Sequence, residues 1–452
     1  MTLKAPFTRP DAPPLSGGEG KRTFTIATLG CKTNQFESAA MEERLREAGY
    51  RGVPFEQGAE LVIVNTCTVT AATDAQSRYL VRRARRLNGF CRVVVTGCYA
   101  QVDPQALLAI PGVSLVLGNE EKQNLLALLA DADRGEPAAR VSPIRETSEA
   151  KVSPLSSFAE RSRAFVQIQN GCDAFCSYCI IPYARGRSRS VPPDEVVAQA
   201  KRLCAAGYPE IVLTGIHIGG YGADLARPTD LLTLVRRLAA ETSVPRLRLG
   251  SLEPTEIPDK LIEAVAASEI LCPHFHIPLQ AGSDSVLERM NRHYDTVFFR
   301  SLVEKIRRRI PDAAIGLDVI AGFPGESDAE FAATAALLEE LPVTHLHVFP
   351  FSRRPGTPAA AMPAQVPSAL ARERAARLRA IGEAKQRAFA SRFLGRTLDV
   401  VVEGGEAKEG MRRSLTRNYL TVLLPAADGR EGERLQVRIA DRDDRGLLGE
   451  RA

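Results

Sequence analysis

The sequence predicts an α/β chain of three units: an N-terminal doubly wound parallel α/β domain, a central partial (β/α)6 barrel and a small C-terminal β-barrel. Three observations predict it. Strand-like apolar runs alternate with amphipathic helical stretches over residues 22–130. Six further strand-like runs, with helical stretches between them, follow over residues 158–390. Residues 391–452 carry only short β-like runs, separated by glycine and charge. Alternation of the first kind gives parallel sheets, and short evenly spaced strands give small barrels.

In the first unit the runs TFTIATL (23–29), ELVIVNT (60–66) and RVVVTG (92–97) enclose the helical stretches SAAMEERLREAGY (38–50) and AQSRYLVRRARRLNG (75–89). This is a βαβαβ pattern. Residues 131–157, rich in Pro, Ser and charge without a period, read as a linker. The barrel strands are AFVQIQ (164–169), EIVLTGI (210–216), RLRLGSL (246–252), HFHIPLQ (274–280), AIGLDVIAGF (314–323) and HLHVFPF (345–351). A long Arg-rich helix over 367–393 closes that unit. In the third unit the β-like runs are 397–404, 419–425 and 434–440.

Composition narrows the function. At 452 residues, 44% hydrophobic and 25% charged, the chain has the profile of a soluble multidomain protein. No stretch approaches the ~18–20 apolar residues of a membrane span. Residues 1–21, rich in Pro and Gly, read as a disordered tail and not as a signal peptide. The net charge of +5 points only weakly to nucleic acid. Nine cysteines, an odd number without a secretion signal, point to metal or redox chemistry in the cytoplasm rather than to disulfides.

Cys172, Cys176 and Cys179 fall within eight residues, in NGCDAFCSYC directly after the first barrel strand. Random placement gives that pattern less than about one time in a hundred. The C-terminal ends of barrel strands are where active sites form. Thiolates suit iron–sulfur clusters or zinc. Structural zinc wants four closed ligands, and no local His or fourth Cys completes this set. Three thiolates on a [4Fe–4S] cube leave one iron open to chelate a substrate. A zinc site borrowing a remote ligand is the competing reading.

A second set is dispersed. Cys31, Cys67 and Cys98 each sit just beyond one of the three N-terminal strands. In a parallel sheet those ends converge on one edge, where ligands of open α/β folds bind. Cys91 lies at the opposite end of its strand and is excluded. The bland alternative is three buried apolar cysteines. Cys204 and Cys272 read as core, and all six histidines read as structural or hydrogen-bonding residues rather than metal ligands.

The C-x3-C-x2-C spacing on an opening barrel strand resembles the radical S-adenosylmethionine (SAM) superfamily. Both cysteine sets together resemble one family within it, the methylthiotransferases. LGCKTNQFES (29–38), NTCTVTAATDAQSR (65–78) and TGCYAQ (96–101) resemble the branch acting on tRNA N6-threonylcarbamoyladenosine at position 37. The resemblance implies two [4Fe–4S] clusters. One, on Cys172, Cys176 and Cys179, binds SAM and generates the radical, which makes these cysteines catalytic. The other, on Cys31, Cys67 and Cys98, holds the sulfur to be inserted. One SAM methylates that sulfur, and a second yields a 5′-deoxyadenosyl radical that takes hydrogen from C2 of the adenine. It further implies a C-terminal TRAM-like RNA-binding module, the tRNA anticodon stem-loop as partner, and external electron and sulfur donors. Relatives modify isopentenyladenosine or a ribosomal-protein aspartate. A non-enzymatic RNA-binding protein with structural or redox-sensing clusters is the alternative from another class.

The expected SAM contacts lie at strand ends: Thr214, Gly215, Ser251, Glu253, Gln280, Ser283 and Gly322. Each fits a turn role equally. Arg185 fits either the active site or a solvated surface. Arg82, Arg83, Arg85, Arg86 and Arg307–Arg309 are candidate phosphate contacts, with Arg412, Arg413, Arg417 and Tyr419 in the last unit.

Overall fold

The computed structural model describes residues 22–132, 136–150, 155, 156, 158, 162–405, 407 and 409–452. The expected N-terminal tail lies outside them.

Six parallel strands build the first sheet: β1 (Thr23–Thr28), β2 (Arg51–Gly52), β3 (Leu61–Thr66), β4 (Arg92–Gly97), β5 (Val113–Leu117) and β6 (Ala138–Arg140). Their spatial order is β2-β1-β3-β4-β5-β6. β3 is buried along its whole length. Its side chains alternate between two cores: Val62 and Val64 pack on one face with Val93 and Val95, and Ile63 on the other with Phe24 and Leu115. The order reverses between β1 and β3, which makes the crevice beyond their C-terminal ends a topological switch point. The segment expected as a linker is not all linker. Ala138–Arg140 pairs with β5 as the sixth strand, and three residues, AAR, are too few to carry a β period.

The barrel strands are β7 (Ala164–Gln167), β10 (Ile211–Thr214), β11 (Leu247–Leu249), β12 (His274–His276), β13 (Ala314–Ala321) and β14 (His345–Pro350). A short antiparallel pair, β8 (Gln169–Asn170) and β9 (Arg189–Ser190), lies in the loop after β7. β7, β10 and β11 pair in parallel, as do β12, β13 and β14. Parallel bridges Leu247–Leu271 and Ser251–His276 join the two triplets. The result is an open six-stranded barrel running β7-β10-β11-β12-β13-β14. The helix Lys32–Glu47 of the first unit packs on the β7 edge. Its Phe36 enters the barrel core, 6.2 Å from the Phe158 ring. The first unit is thereby fixed to the barrel by shared apolar burial, worth about 1.5–3 kcal/mol for one such side chain. The helix Ser368–Ser391 packs on β14 and β13.

β15 (Thr397–Val402), β16 (Met411–Thr416), β17 (Thr421–Pro425), β18 (Arg434–Asp443) and β19 (Gly446–Arg451) close a barrel in the order β15-β16-β17-β19-β18. It docks under the strand-start end of the large barrel. There Arg248 donates to the carbonyls of Thr416 (3.1 Å) and Arg417 (2.9 Å), and the Tyr419 ring stacks on His274 at 4.3 Å.

Candidate active site

The three N-terminal cysteines meet at the switch point. Cys31 follows β1 and caps the helix Lys32–Glu47 without using its side chain, so its sulfur stays available. Cys67 follows β3, and Cys98 opens the short helix Cys98–Val102 after β4. The Asn34 side-chain amide ties two of these loops together, donating to the carbonyls of Leu29 (2.7 Å) and Thr66 (2.9 Å). Asn65 is fully buried and donates to the Asn34 carbonyl at 3.0 Å. Gly30 and Gly97 precede two of the cysteines and hold positive φ angles of 90° and 95°. A Cβ on Gly30 would lie 2.8 Å from the Cys67 sulfur, and one on Gly97 would lie 2.4 Å from the Thr66 carbonyl oxygen. Only glycine permits that approach. Gly97→Ala is therefore expected to cost more than about 1 kcal/mol and to displace Cys98. Thermal unfolding and iron content per chain check this.

Burial, with Cys98 beside it, pushes the Cys67 thiol up to about 12. Two adjacent buried thiolates need a neutralising cation. In neither cysteine triad do all three sulfurs come within 4.8 Å of one another. Thiolates are soft ligands suited to iron–sulfur clusters, and three of them leave one iron of a [4Fe–4S] cube open. The donor sets fit a [4Fe–4S] cluster in both places.

The barrel triad lies in the loop between β7 and the helix Ile181–Arg185. The Gln169 side chain shapes the neighbourhood of that loop. Its amide donates to the Gly171 carbonyl (2.8 Å), and its oxygen accepts from the backbone N–H groups of Ile216 (3.1 Å) and His217 (2.8 Å). The Cys172 sulfur lies 3.8 Å from His217 Nδ1, whose Nε2 is 2.8 Å from Glu256. The Cys176 sulfur accepts from Arg292 at 3.1 Å, and Arg292 also pairs with Glu253. Burial, then Cys176, pushes the Cys179 thiol up to about 12.

A cavity of about 180 Å³ opens at Cys179 and reaches the segment that follows Cys67. Val69 and Thr70, just past Cys67, line it together with Tyr178, Cys179, Gln280 and Asp318. Asp318 is held by His276 Nε2 at 2.9 Å and His347 Nδ1 at 3.4 Å. Of the expected SAM contacts, Gln280 lines this cavity directly, in a left-handed conformation with φ 68°. Glu253 reaches the cysteine loop through Arg292. Thr214 ends β10, Gly215 packs on Gln169, and Ser251 bridges to His276. Gly322 lies against Ala371 of the long helix, where a Cβ would come within 2.4 Å. Ser283 precedes the helix Asp284–Arg289 and meets Ser285 at 3.0 Å.

The chain matches the Radical SAM superfamily over residues 166–338 and the family described as Uncharacterized protein family UPF0004 over residues 23–118. A threonylcarbamoyladenosine tRNA methylthiotransferase of Bacillus subtilis is 40% identical, covering 92% of this chain and 93% of that protein. The chain belongs to the radical SAM methylthiotransferase family. The Aquifex aeolicus protein of the same description is 37% identical, covering 87% and 95%. A tRNA-2-methylthio-N(6)-dimethylallyladenosine synthase of Sphingopyxis alaskensis is 35% identical, covering 93% and 96%. A radical SAM methyltransferase of Kitasatospora setae, solved with cobalamin and a [4Fe–4S] cluster, shares the fold. Its TM-score is 0.56 at 20% identity, covering 75% of this chain and 77% of that one.

The chain is thus an enzyme that uses SAM and iron–sulfur chemistry. Several candidate RNA contacts of this methylthiotransferase are engaged internally. Arg417 donates to the Leu271 carbonyl (2.9 Å), Tyr419 sits under His274, Arg85 donates to the Cys91 carbonyl (3.0 Å), and Arg307 donates to the Pro342 carbonyl (3.0 Å). These half-exposed side chains thus also hold the fold together. Arg413 remains well exposed beside Glu403. Three histidines act through hydrogen bonds at the site: His217 faces Cys172, and His276 and His347 hold Asp318. Asn34, Asn65, Arg292 and His217 were not singled out in the sequence. A buried Asn at the end of an apolar strand was the one local signal. Among the described residues, no helix is long and apolar enough to cross a membrane.

Proposed function

We propose that this enzyme methylthiolates tRNA in the cytoplasm, converting N6-threonylcarbamoyladenosine at position 37 of the anticodon stem-loop to its 2-methylthio derivative. The observation that carries the reading is one cavity lined by Cys179 of the barrel triad and by Val69 and Thr70, which follow Cys67 of the other. Cys172, Cys176 and Cys179 hold one [4Fe–4S] cluster, and Cys31, Cys67 and Cys98 hold the other. When bound there, the clusters and SAM supply the electron, the hydrogen-abstracting radical and the methylthio group; external electron and sulfur donors complete the balance.

The chain's own residues bind, orient and enclose. Arg292 donates to Cys176 and His217 faces Cys172, which fixes the barrel ligands from outside, as second neighbours of metal sites do. Val69, Ile180 and Phe351 line the apolar part of the cavity and exclude water from it. Gln280 and Asp318 offer hydrogen-bond partners to a carbamoylated adenine. That supports threonylcarbamoyladenosine over a hydrocarbon-bearing base, as do the printed names of the Bacillus and Aquifex relatives. The Sphingopyxis relative keeps the dimethylallyl base as the second reading.

Anaerobic reconstitution with iron, sulfide, SAM and a reductant tests both. Given tRNA carrying either base, mass spectrometry should show methylthiolation of the threonylcarbamoylated nucleoside. Conversion of the isopentenylated one alone would reverse the substrate assignment. Absence of 5′-deoxyadenosine would remove the enzymatic reading altogether.

A further inference from the structure

We infer that Arg185 is the positioning residue that locks the N-terminal cysteine site to the loop carrying the barrel cysteines, and that its charge is matched to a metal-bound Cys98. The inference rests on the reading that Cys31, Cys67 and Cys98 hold a cluster.

Arg185 follows the barrel triad directly, at the end of the helix Ile181–Arg185, and is fully buried. Its side chain leaves the barrel loop and enters the first unit. Nε donates to the Cys98 sulfur at 3.2 Å. Nη1 pairs with Glu37, and Nη2 bonds Asn34 Oδ1 and Glu37 Oε2, the latter at 3.0 Å. Four of its five N–H donors are therefore spent across the boundary between the two sites. Lys122 joins the same network, donating to Glu37 (2.6 Å) and Asn119 (2.7 Å). Asn119 returns to the barrel loop, donating to the Ala184 carbonyl at 2.7 Å.

Counting charge decides what the network is built for. Arg185 and Lys122 are two cations, and Glu37 is one carboxylate. Without a further anion, a positive charge is left buried, which is costly. The remaining partner is the Cys98 sulfur. An iron-bound thiolate completes the balance, whereas a protonated thiol does not. Arg185 thus holds Cys98 in place and adds positive charge beside the cluster, which favours the cluster's more negative, reduced form.

The full chain carrying Cys172→Ala, Cys176→Ala and Cys179→Ala isolates the N-terminal iron. In that parent, Arg185→Met is expected to weaken iron retention against a chelator about 10–100-fold and to shift the cluster's reduction potential to more negative values. Arg185→Lys keeps the charge without the planar fork and should fall between. Glu37→Gln leaves the Arg185–Cys98 contact and removes a negative charge, so it should shift the potential the opposite way. Shifts of opposite sign support the inference, because a purely structural loosening moves both variants together. An unchanged potential in Arg185→Met, or shifts of one sign in both variants, overturns it. A parent that binds no iron overturns the cluster reading itself, and this inference with it.

Discussion

Replacing Cys172, Cys176 or Cys179 by alanine is expected to abolish 5′-deoxyadenosine release and to lower bound iron from about eight to about four per chain. The reason is geometric. The three cysteines share one tight loop in which the Cys179 N–H bonds the Cys176 carbonyl at 2.9 Å, and each sulfur has its own surroundings. Two thiolates cannot present a fourth, open iron at a fixed place. Replacing Cys31, Cys67 or Cys98 should give a different result. Iron falls by the same amount and methylthiolated product disappears, but 5′-deoxyadenosine release persists, because the barrel loop is intact. Measuring iron, 5′-deoxyadenosine and modified nucleoside on the same preparations separates the two triads. Equal loss of 5′-deoxyadenosine from both sets would break the division of labour proposed for them.

Much of the proposed site was legible because the six candidate cysteines interrupt the patterns around them. The barrel triad is a dense cluster in a chain with few cysteines, and Cys67 and Cys98 end apolar runs that the structure buries. What escaped the sequence has a common cause. A buried arginine is spelled like a surface one, so Arg185, Arg292 and Arg248 gave no sign of their partners. Tyr419 and Arg417 likewise gave no sign that they meet the large barrel, at His274 and at the Leu271 carbonyl. Two C-terminal strands were also missed. Met411–Thr416 begins with half-exposed or exposed residues before its buried end, and Gly446–Arg451 holds two glycines, which blur the alternation of a strand. The barrel strands were found but read too long, because their polar ends belong to the loops that build the site.

The largest effect on stability is expected from Glu210→Ala at the junction of the two barrels. Glu210 is fully buried at the start of β10. Arg248 grips both of its oxygens, at 2.7 and 2.9 Å, and Arg163 approaches to 3.3 Å. Arg246 lies 3.7 Å away and pairs with Asp399 of the C-terminal barrel at 2.8 Å. Removing the carboxylate strands Arg248 without a counter-ion, and breaking a buried pair this way costs about 3–5 kcal/mol. Because Arg248 also donates to Thr416 and Arg417, the C-terminal barrel should loosen first. Protease cleavage between the barrels should therefore appear at lower urea than in the parent. The same network sets an acid limit. Burial pushes the Glu210 carboxyl up, but the guanidiniums of Arg248, Arg163 and Arg246 hold it down to about 2, against an ordinary value of 4.5. A depressed carboxylate contributes stability that is fully present above its unfolded value and is lost as pH falls through the folded one. Stability should therefore decline between about pH 4.5 and 2, and Glu210→Gln should flatten that part of the decline. An undiminished acid slope in Glu210→Gln would assign the loss to other carboxylates.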